Sequence, residues 1–322
     1  IGMTWQPSCQ LAALKLRADM LTSIRNFFSD RSVLEVDTPL LSNATVTDLH
    51  LASISAQVNL PHQKNARQMY LQTSPEFAMK RLLAAGSGPI YQITKSFRDG
   101  ESGKRHNPEF TMLEWYRPGF GLTELMSDVA DFISDVANLP SPDVITYQQA
   151  FQQYLNIDPH RIDDQVLCDL AKHKTGIEGE GFSRDDHLDL LLTHCIESNL
   201  GFDRPVFMTE YPASQASLAN IKEVDGICLA QRFELYANGL ELANGYDELI
   251  NADEQLKRFE ADNEARKAES LPEIPIDYHL IEALQSGLPK CSGVALGLDR
   301  LQMVIQNTSS IDEVIAFPVD RA

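Results

Sequence analysis

The chain has 322 residues, 43% of them apolar, enough to bury a full core as one large domain or two ordinary ones. Its 27 Lys and Arg stand against 46 Asp and Glu, and the resulting formal charge of −19 disfavours broad contact with nucleic-acid phosphates. Five scattered cysteines without a CxxC pair argue against a zinc site or a disulfide framework, and no apolar run approaches the ~20 residues of a membrane span. A soluble protein of a reducing cytoplasm is expected.

In chain order, Leu11, Leu14, Ala18, Leu21, Ile24 and Phe28 recur at helical spacings and predict an amphipathic helix. Val33 to Leu41 reads as extended chain, with Pro39 suited to an edge strand or a strand end. Strands are expected at Gln68–Gln72, Pro89–Phe97, Phe110–Arg117, Gly226–Tyr236 and Ser292–Leu298, and helices at Val166–His173 and Asp185–Asn199. Strand-rich stretches divided by helices, without βαβ alternation, predict an α+β fold built on an antiparallel sheet. The expected organisation is a single domain over 1–322 with a helical insertion at 139–205. Asn251–Leu271, with Leu256 and Phe259 as its interior large apolar residues, reads as a solvated surface helix.

The chemistry concentrates first in Ser96–Pro118, SFRDGESGKRHNPEFTMLEWYRP. Period-2 alternation sends Phe110, Met112, Glu114 and Tyr116 to one face and Thr111, Leu113, Trp115 and Arg117 to the other. A carboxylate at Glu114 on an otherwise apolar face needs a partner. Lys104, Arg105 and His106 make the preceding loop cationic, which suits a triphosphate. The planar fork of Arg98 suits a phosphoryl oxygen, and Phe110 suits stacking on a purine. Taken singly, Arg98 in a surface ion pair, His106 as a loop histidine and Phe110 as a core ring are the readings to prefer.

In Arg232–Leu249, Glu234, Glu241 and Glu248 recur at intervals of seven, while Gly239 and Gly245 favour a strand, a turn and a second strand. Hard carboxylate oxygens suit Mg²⁺, with Glu234 and Glu241 as candidate ligands. Asn244 can bond a substrate carboxylate and Glu248 a substrate ammonium. An acidic surface hairpin is the plainer alternative. In GVALGLDR, Gly293, Ala295 and Gly297 form a row of small side chains along one strand face, and Arg300 can cover a purine from the side opposite Phe110. Tight packing of strand on helix explains that row equally well.

Together these segments resemble the three signature motifs of class II aminoacyl-tRNA synthetases, most closely the lysyl-tRNA synthetase core. FFSDRSVLEVDTPLL resembles motif 1 at the family's dimer interface, FRDGESGKRHNPEFTMLEWY motif 2, and GVALGLDRL motif 3. The resemblance implies ATP as co-substrate and Mg²⁺ at Glu234 and Glu241. It implies Arg98 as the catalytic residue, at the α-phosphate. ATP contacts are implied for Glu101, His106, Asn107, Phe110, Glu241 and Arg300, with Phe110 and Arg300 around the adenine. It implies a lysine pocket built from Ser74 and Glu76 of TSPE with Glu114, Tyr116, Asn244, Glu248 and Ala295.

Three positions depart from the pattern: Gly100 stands where motif 2 has Glu, with Glu101 next; Ser32 replaces a common glycine; and Ala295 replaces a glycine, narrowing the pocket by a methyl. The segment before Phe27 is too short for the family's anticodon-binding barrel, which needs at least about 50 residues. These features resemble truncated lysyl-tRNA synthetase paralogues that attach (R)-β-lysine to a lysine of translation elongation factor P. An AMP-forming, homodimeric cytoplasmic ligase is therefore expected, with elongation factor P rather than tRNA as acceptor and no membrane partner. The rivals are a minimal synthetase charging tRNA or a free amine, and a catalytically silent nucleotide-binding regulator.

Overall fold

The structure of the chain, a computed structural model, describes residues 5–179 and 181–322 and divides them into two units. The first unit runs to Gly119 and resumes over Leu249–Cys291 and Ala295–Ala322; the second is Phe120–Glu248 with Ser292–Val294. The segment 139–205 lies wholly within the second. Strands pair mainly antiparallel and alternate irregularly with helices, in the expected α+β class.

The first unit begins with α1 (Leu11–Asp30), β1 (Leu34–Glu35), β2 (Leu41–Ser42), β3 (Ser55–Val58), β4 (Arg67–Leu71), α2 (Glu76–Ala84), β5 (Ile90–Phe97) and β6 (Glu109–Pro118). β5 and β6 pair antiparallel from Ile90↔Tyr116 to Phe97↔Glu109, and β1 lies parallel to β5. β2, β4 and β3 form a separate antiparallel sheet. Within Val33–Leu41 only the two short ends enter strands, and Pro39, which has no amide hydrogen for a ladder, stays outside both.

Helix α1 buries Ala13, Met20, Ile24, Phe27 and Phe28 but leaves Leu11, Leu14 and Ala18 exposed, so the apolar stripe read from sequence is displaced at its N-terminal end. The cause is polar. Arg17 pairs with the buried carboxylate of Asp299, and the Gln302 amide donates to the Ala13 carbonyl at 2.8 Å, which turns that side of the helix inward. Farther along, Phe28 stacks on Tyr91 at 4.2 Å and meets Trp115 edge-on at 5.4 Å, seating α1 on β5 and β6. Ser32, after the helix, has φ of 54°, which explains why a glycine suits this position.

The second unit contains α3 (Leu122–Ala137), β7 (Asp143–Thr146), α4 (Tyr147–Leu155), α5 (Asp164–Thr175), α6 (Arg184–Leu191), β8 (Val206–Pro212), β9 (Ile221–Val224), β10 (Ile227–Ala237) and β11 (Leu240–Asp247). Its strands run in the order β11-β10-β8-β7, with β9 on β10. Strand β7 was not anticipated; it pairs parallel with β8 from Asp143↔Val206 to Thr146↔Thr209, so the 139–205 segment is more than helices. Thr146 ends β7 and caps α4 by accepting from Gln149 N–H at 3.1 Å. Tyr147, Phe151, Leu191, Tyr211 and Tyr236 lie in the core these elements enclose. The helix expected over Asp185–Asn199 changes pitch after Leu191 into a π turn and then a 3₁₀ turn.

The chain between β10 and β11 turns on Asn238 and Gly239, both at positive φ (51° and 70°), the pair a two-residue hairpin loop demands. The strand-turn-strand reading therefore holds, and the surface alternative does not: Glu234 and Glu248 are buried.

The chain returns to the first unit through α7 (Ala252–Ala268) and α8 (Tyr278–Gly287), followed by β12 (Cys291–Gly297), which has residues in each unit, and α9 (Leu298–Gln306). Helix α7 corrects the expectation of a solvated helix, because Gln255, Phe259, Asn263 and Arg266 are all buried along one face. A polar stripe can be buried where its groups find backbone partners. The Asn263 amide donates to the Ile274 carbonyl at 2.9 Å and accepts from the Ile274 N–H at 3.0 Å. Arg266 donates to the carbonyls of Pro272 and Asp48 at 2.8 and 3.0 Å. Asn263→Ala removes both bonds to Ile274 and is expected to cost about 1–3 kcal/mol, read as a lower urea midpoint at unchanged slope.

Candidate active site

The loop between β5 and β6 is arranged around Arg98. Its guanidinium lies 5.1 Å from the Phe110 ring centroid and 3.7 Å from Glu101 Oε1, while its Nε is buried without a hydrogen-bond partner. Gly100 has φ of 78° and open space around it, so its conformation, not crowding, suits glycine. The turn through Gly100 sets the next residue, Glu101, beside Arg98, which accounts for a carboxylate one position later than the synthetase pattern.

His106 and Arg300, both expected at the nucleotide, touch each other: Arg300 Nη2 lies 2.7 Å from His106 Nε2. Partial burial, then the Arg300 guanidinium, hold the imidazole below its usual range, consistent with a neutral ring accepting from arginine. Arg300 stands in the first turn of α9 beside Asp299, whose buried carboxylate accepts from the Thr111 N–H at 2.7 Å as well as from Arg17. Asp299 thus ties the start of α9 to the strand residue after Phe110. The Asn107 side chain holds the loop in shape, donating to the Glu109 carbonyl at 2.6 Å and accepting from Val319 N–H at 2.9 Å.

A second cluster of the first unit joins Ser74, Glu76, Glu114 and Tyr116. Glu114 is 2% exposed. The Tyr116 hydroxyl donates to its Oε1 at 2.6 Å, and its Oε2 is buried and accepts no hydrogen bond. Burial, then the negative charge of Glu76, push the Glu114 carboxyl up to about 8, against the opposing pull of the Tyr116 and Ser74 hydroxyls and of Lys80. Glu76 opens α2, where its N–H donates to Ser74 Oγ at 3.1 Å, and its Oε1 accepts from Lys80 Nζ at 2.6 Å. Sequence reasoning missed Lys80. The signal was its i,i+4 spacing from Glu76 on a helix.

In the second unit, Glu234 accepts at one oxygen from Arg232 and at the other from the hydroxyls of Tyr211, at 2.7 Å, and Tyr236. Burial, then the Glu234 charge, raise both phenols well above their usual range and keep them as donors. These three partners were also missed, although Arg232 and Tyr236 stand two residues either side of Glu234 and so share its strand face. Asn244 lies opposite Glu234 in the β10/β11 register, and its Oδ1 is buried without a hydrogen bond. Glu248 is buried, and its backbone carbonyl accepts from Asn220 Nδ2 at 2.9 Å. Glu241 and Ala295 are half-buried, on β11 and β12. Among the described residues, no three His, Cys, Asp or Glu side chains gather as a ready metal site.

The chain belongs to the tRNA synthetases class II (D, K and N), whose family pattern it matches over residues 6–321. Among curated proteins, the elongation factor P--(R)-beta-lysine ligase of Edwardsiella ictaluri (strain 93-146) is 50% identical over 321 residues, covering 99% of this chain and 98% of that protein. The proteins of that name from Yersinia enterocolitica serotype O:8 / biotype 1B and Pectobacterium carotovorum subsp. carotovorum are 50% and 49% identical, with the same coverage.

The Glu114 environment has a measurable consequence. An unfolded glutamate titrates near 4.5 and the folded one near 8, so between these values the folded state binds more protons. Stability from this group is fully present below the unfolded value and is lost as pH rises through about 8. Glu114→Gln keeps a neutral polar group in place, so the decline in melting temperature from pH ~5 to ~8.5 should be shallower in the variant than in the wild type.

Proposed function

We propose that this chain is an AMP-forming ligase that activates (R)-β-lysine with ATP and transfers it to a lysine side chain of elongation factor P. One observation carries the substrate class: a buried carboxyl with an oxygen left without a donor, beside a second carboxylate, is a seat for an ammonium group. The name of relatives that match almost end to end supports β-lysine and the protein acceptor. A net charge of −19 supports a protein rather than tRNA as acceptor.

In this reading the substrate carboxylate attacks the α-phosphorus of ATP, an O–P bond forms, and pyrophosphate leaves. Arg98 bonds the α-phosphate and offsets the developing negative charge, its buried Nε supplying a donor. His106, Glu101 and Asn107 shape the site for the remaining phosphates, and Phe110 and Arg300 take the adenine. Glu114, Tyr116, Glu76 and Ser74 hold an amino group, and the resemblance to lysyl-tRNA synthetases adds Glu248 for an amine, Asn244 for the carboxylate and Ala295 as a limit on pocket space. Then the acceptor lysine amine attacks the adenylate carbonyl, an amide forms, and AMP leaves with the bond to its phosphate oxygen broken. Positioning and charge suffice, without a side-chain nucleophile.

Glu234 and Glu241 are the residues that would hold Mg²⁺, which when bound would neutralise charge on the nucleotide phosphates. Their donor type fits a hard cation, and Glu234 would exchange one of its present donors for it. The motif 1 segment, with Leu34 and Leu40 exposed, supports a homodimer through that edge, and the cytoplasm is the compartment where the acceptor is made.

The test compares transfer of labelled β-lysine to purified elongation factor P and to tRNA. Protein labelling with AMP release is expected; tRNA charging without protein labelling overturns the reading. Arg98→Ala should abolish β-lysine-dependent pyrophosphate exchange in a protein that still sizes as wild type. Ala295→Gly should improve α-lysine relative to β-lysine by about tenfold or more in kcat/KM, because a methyl discriminates by roughly 1–3 kcal/mol.

A further inference from the structure

Lys80 is a lysine that the adenylation chemistry above does not use, yet it is one of the most deeply buried polar side chains of the first unit, at 1% exposure. It lies one helical turn after Glu76, and its ammonium is 2.6 Å from Glu76 Oε1. Across from it, Glu114 sits on β6 with Tyr116 at its Oε1 and nothing at its Oε2. The charge of Glu76 opposes ionisation of Glu114, so the two carboxyl groups compete for positive charge, and the ammonium of Lys80 is bonded to Glu76.

We propose that Lys80 is a positioning residue for the amine substrate: by holding Glu76 Oε1 it sets the direction of that carboxylate and leaves the Glu76–Glu114 pair short of one cation, the one the substrate brings. The inference deepens the ammonium-seat reading and rests on it. Lys80 selects for ligands in two ways. Its bond to Glu76 orients the carboxylate toward whatever amine approaches, and its charge favours ionisation of Glu114, on which it acts as an opposing influence to burial and Glu76. The charged and titratable groups that face it include Glu76 on its own helix and Glu114 and Tyr116 on β6, with Ser74 as a polar neighbour of that carboxyl. Helix α8, packed on α2, carries His279 and Glu282, which are exposed and 3.4 Å from each other, and α2 itself also carries the exposed Arg81.

A purely structural lysine makes a different prediction from a positioning one. Lys80→Met keeps the stem volume and removes the charge; Lys80→Arg keeps a charge. In pyrophosphate exchange, Lys80→Met should raise the amino-acid KM by about tenfold or more, the loss of a charged hydrogen bond, with the ATP KM unchanged. Its acid limb in kcat/KM for the amino acid should move to higher pH, since a cation that favours the ionised carboxyl is gone. Lys80→Arg should restore part of the KM and return the limb toward its wild-type position.

A folded Lys80→Met enzyme with unchanged amino-acid KM and an unmoved limb overturns the proposal, as does an arginine variant no better than the methionine one. Should Lys80→Met not fold, calorimetry of wild-type enzyme with β-lysine in two buffers of different ionisation enthalpy decides. Release of a fraction of a proton on binding, reduced in Glu114→Gln, supports the charge deficit, and binding without proton release overturns it. Wild-type enzyme that shows no pyrophosphate exchange with any diamino acid overturns the ammonium-seat reading itself, a result distinct from normal exchange that is indifferent to Lys80.

Discussion

A carboxyl group placed on an apolar strand face inside a protein must be surrounded by donors, given a counter-charge, or protonated, and Glu114 imposes that choice on the first unit. Tyr116 answers it from the next position on the same face, Ser74 from the turn before α2, and Lys80 from the first turns of the helix. The donors arrive from three places in the chain, so the strand pairing of β5 with β6 and the seat of α2 must both be correct for the site to exist. One oxygen is nevertheless left bare. Buried polar atoms are usually paired in folded proteins, and a bare carboxyl oxygen beside a second carboxylate is the feature on which the proposed ammonium seat rests.

The second unit solves the same problem in a different way. Glu234 is saturated by Arg232, Tyr211 and Tyr236, and no oxygen is left for a ligand without an exchange of partners. In the first unit Asp299 does likewise with Arg17 and the Thr111 backbone. Glu234 and Asp299 have their oxygens engaged by protein donors, whereas one Glu114 oxygen is without a hydrogen bond. The difference lies in the number of donors around each, and residue type alone does not reveal it.

Two departures from the synthetase pattern, Ser32 and Gly100, become intelligible through backbone conformation, and Ser32 takes a positive φ of 54° that suits the usual glycine. Gly100 occupies a left-handed turn that carries Glu101 to Arg98, so the acidic partner arrives one residue late. Asn107, expected at the nucleotide, spends its amide on the shape of the loop. Gly100 and Asn107 place loop geometry, rather than an additional charge, at the centre of how the motif 2 cations are held.

Much of this was legible in the chain. Strand alternation in FTMLEWYR identified Glu114 as the residue in need of a partner, Gly239 and Gly245 pointed to a strand, a turn and a second strand, of which only Gly239 lies in the turn, and motif order pointed to the class II family to which the chain belongs. What escaped was the polar interior: the tilt of α1 toward Asp299, the buried polar stripe of α7, the strand β7, and the partners Lys80 and Arg232. Periodicity reports where apolar side chains recur, because the hydrophobic effect acts on each residue in proportion to its own surface. A buried polar group is tolerated only if particular donors from distant segments converge on it, and that convergence is a property of the folded arrangement. The sequence by itself determined where cations, aromatic rings and carboxylates recur; tertiary structure decided which of them are already satisfied by neighbouring donors and which keep an atom without a hydrogen bond, because that depends on which distant segments converge.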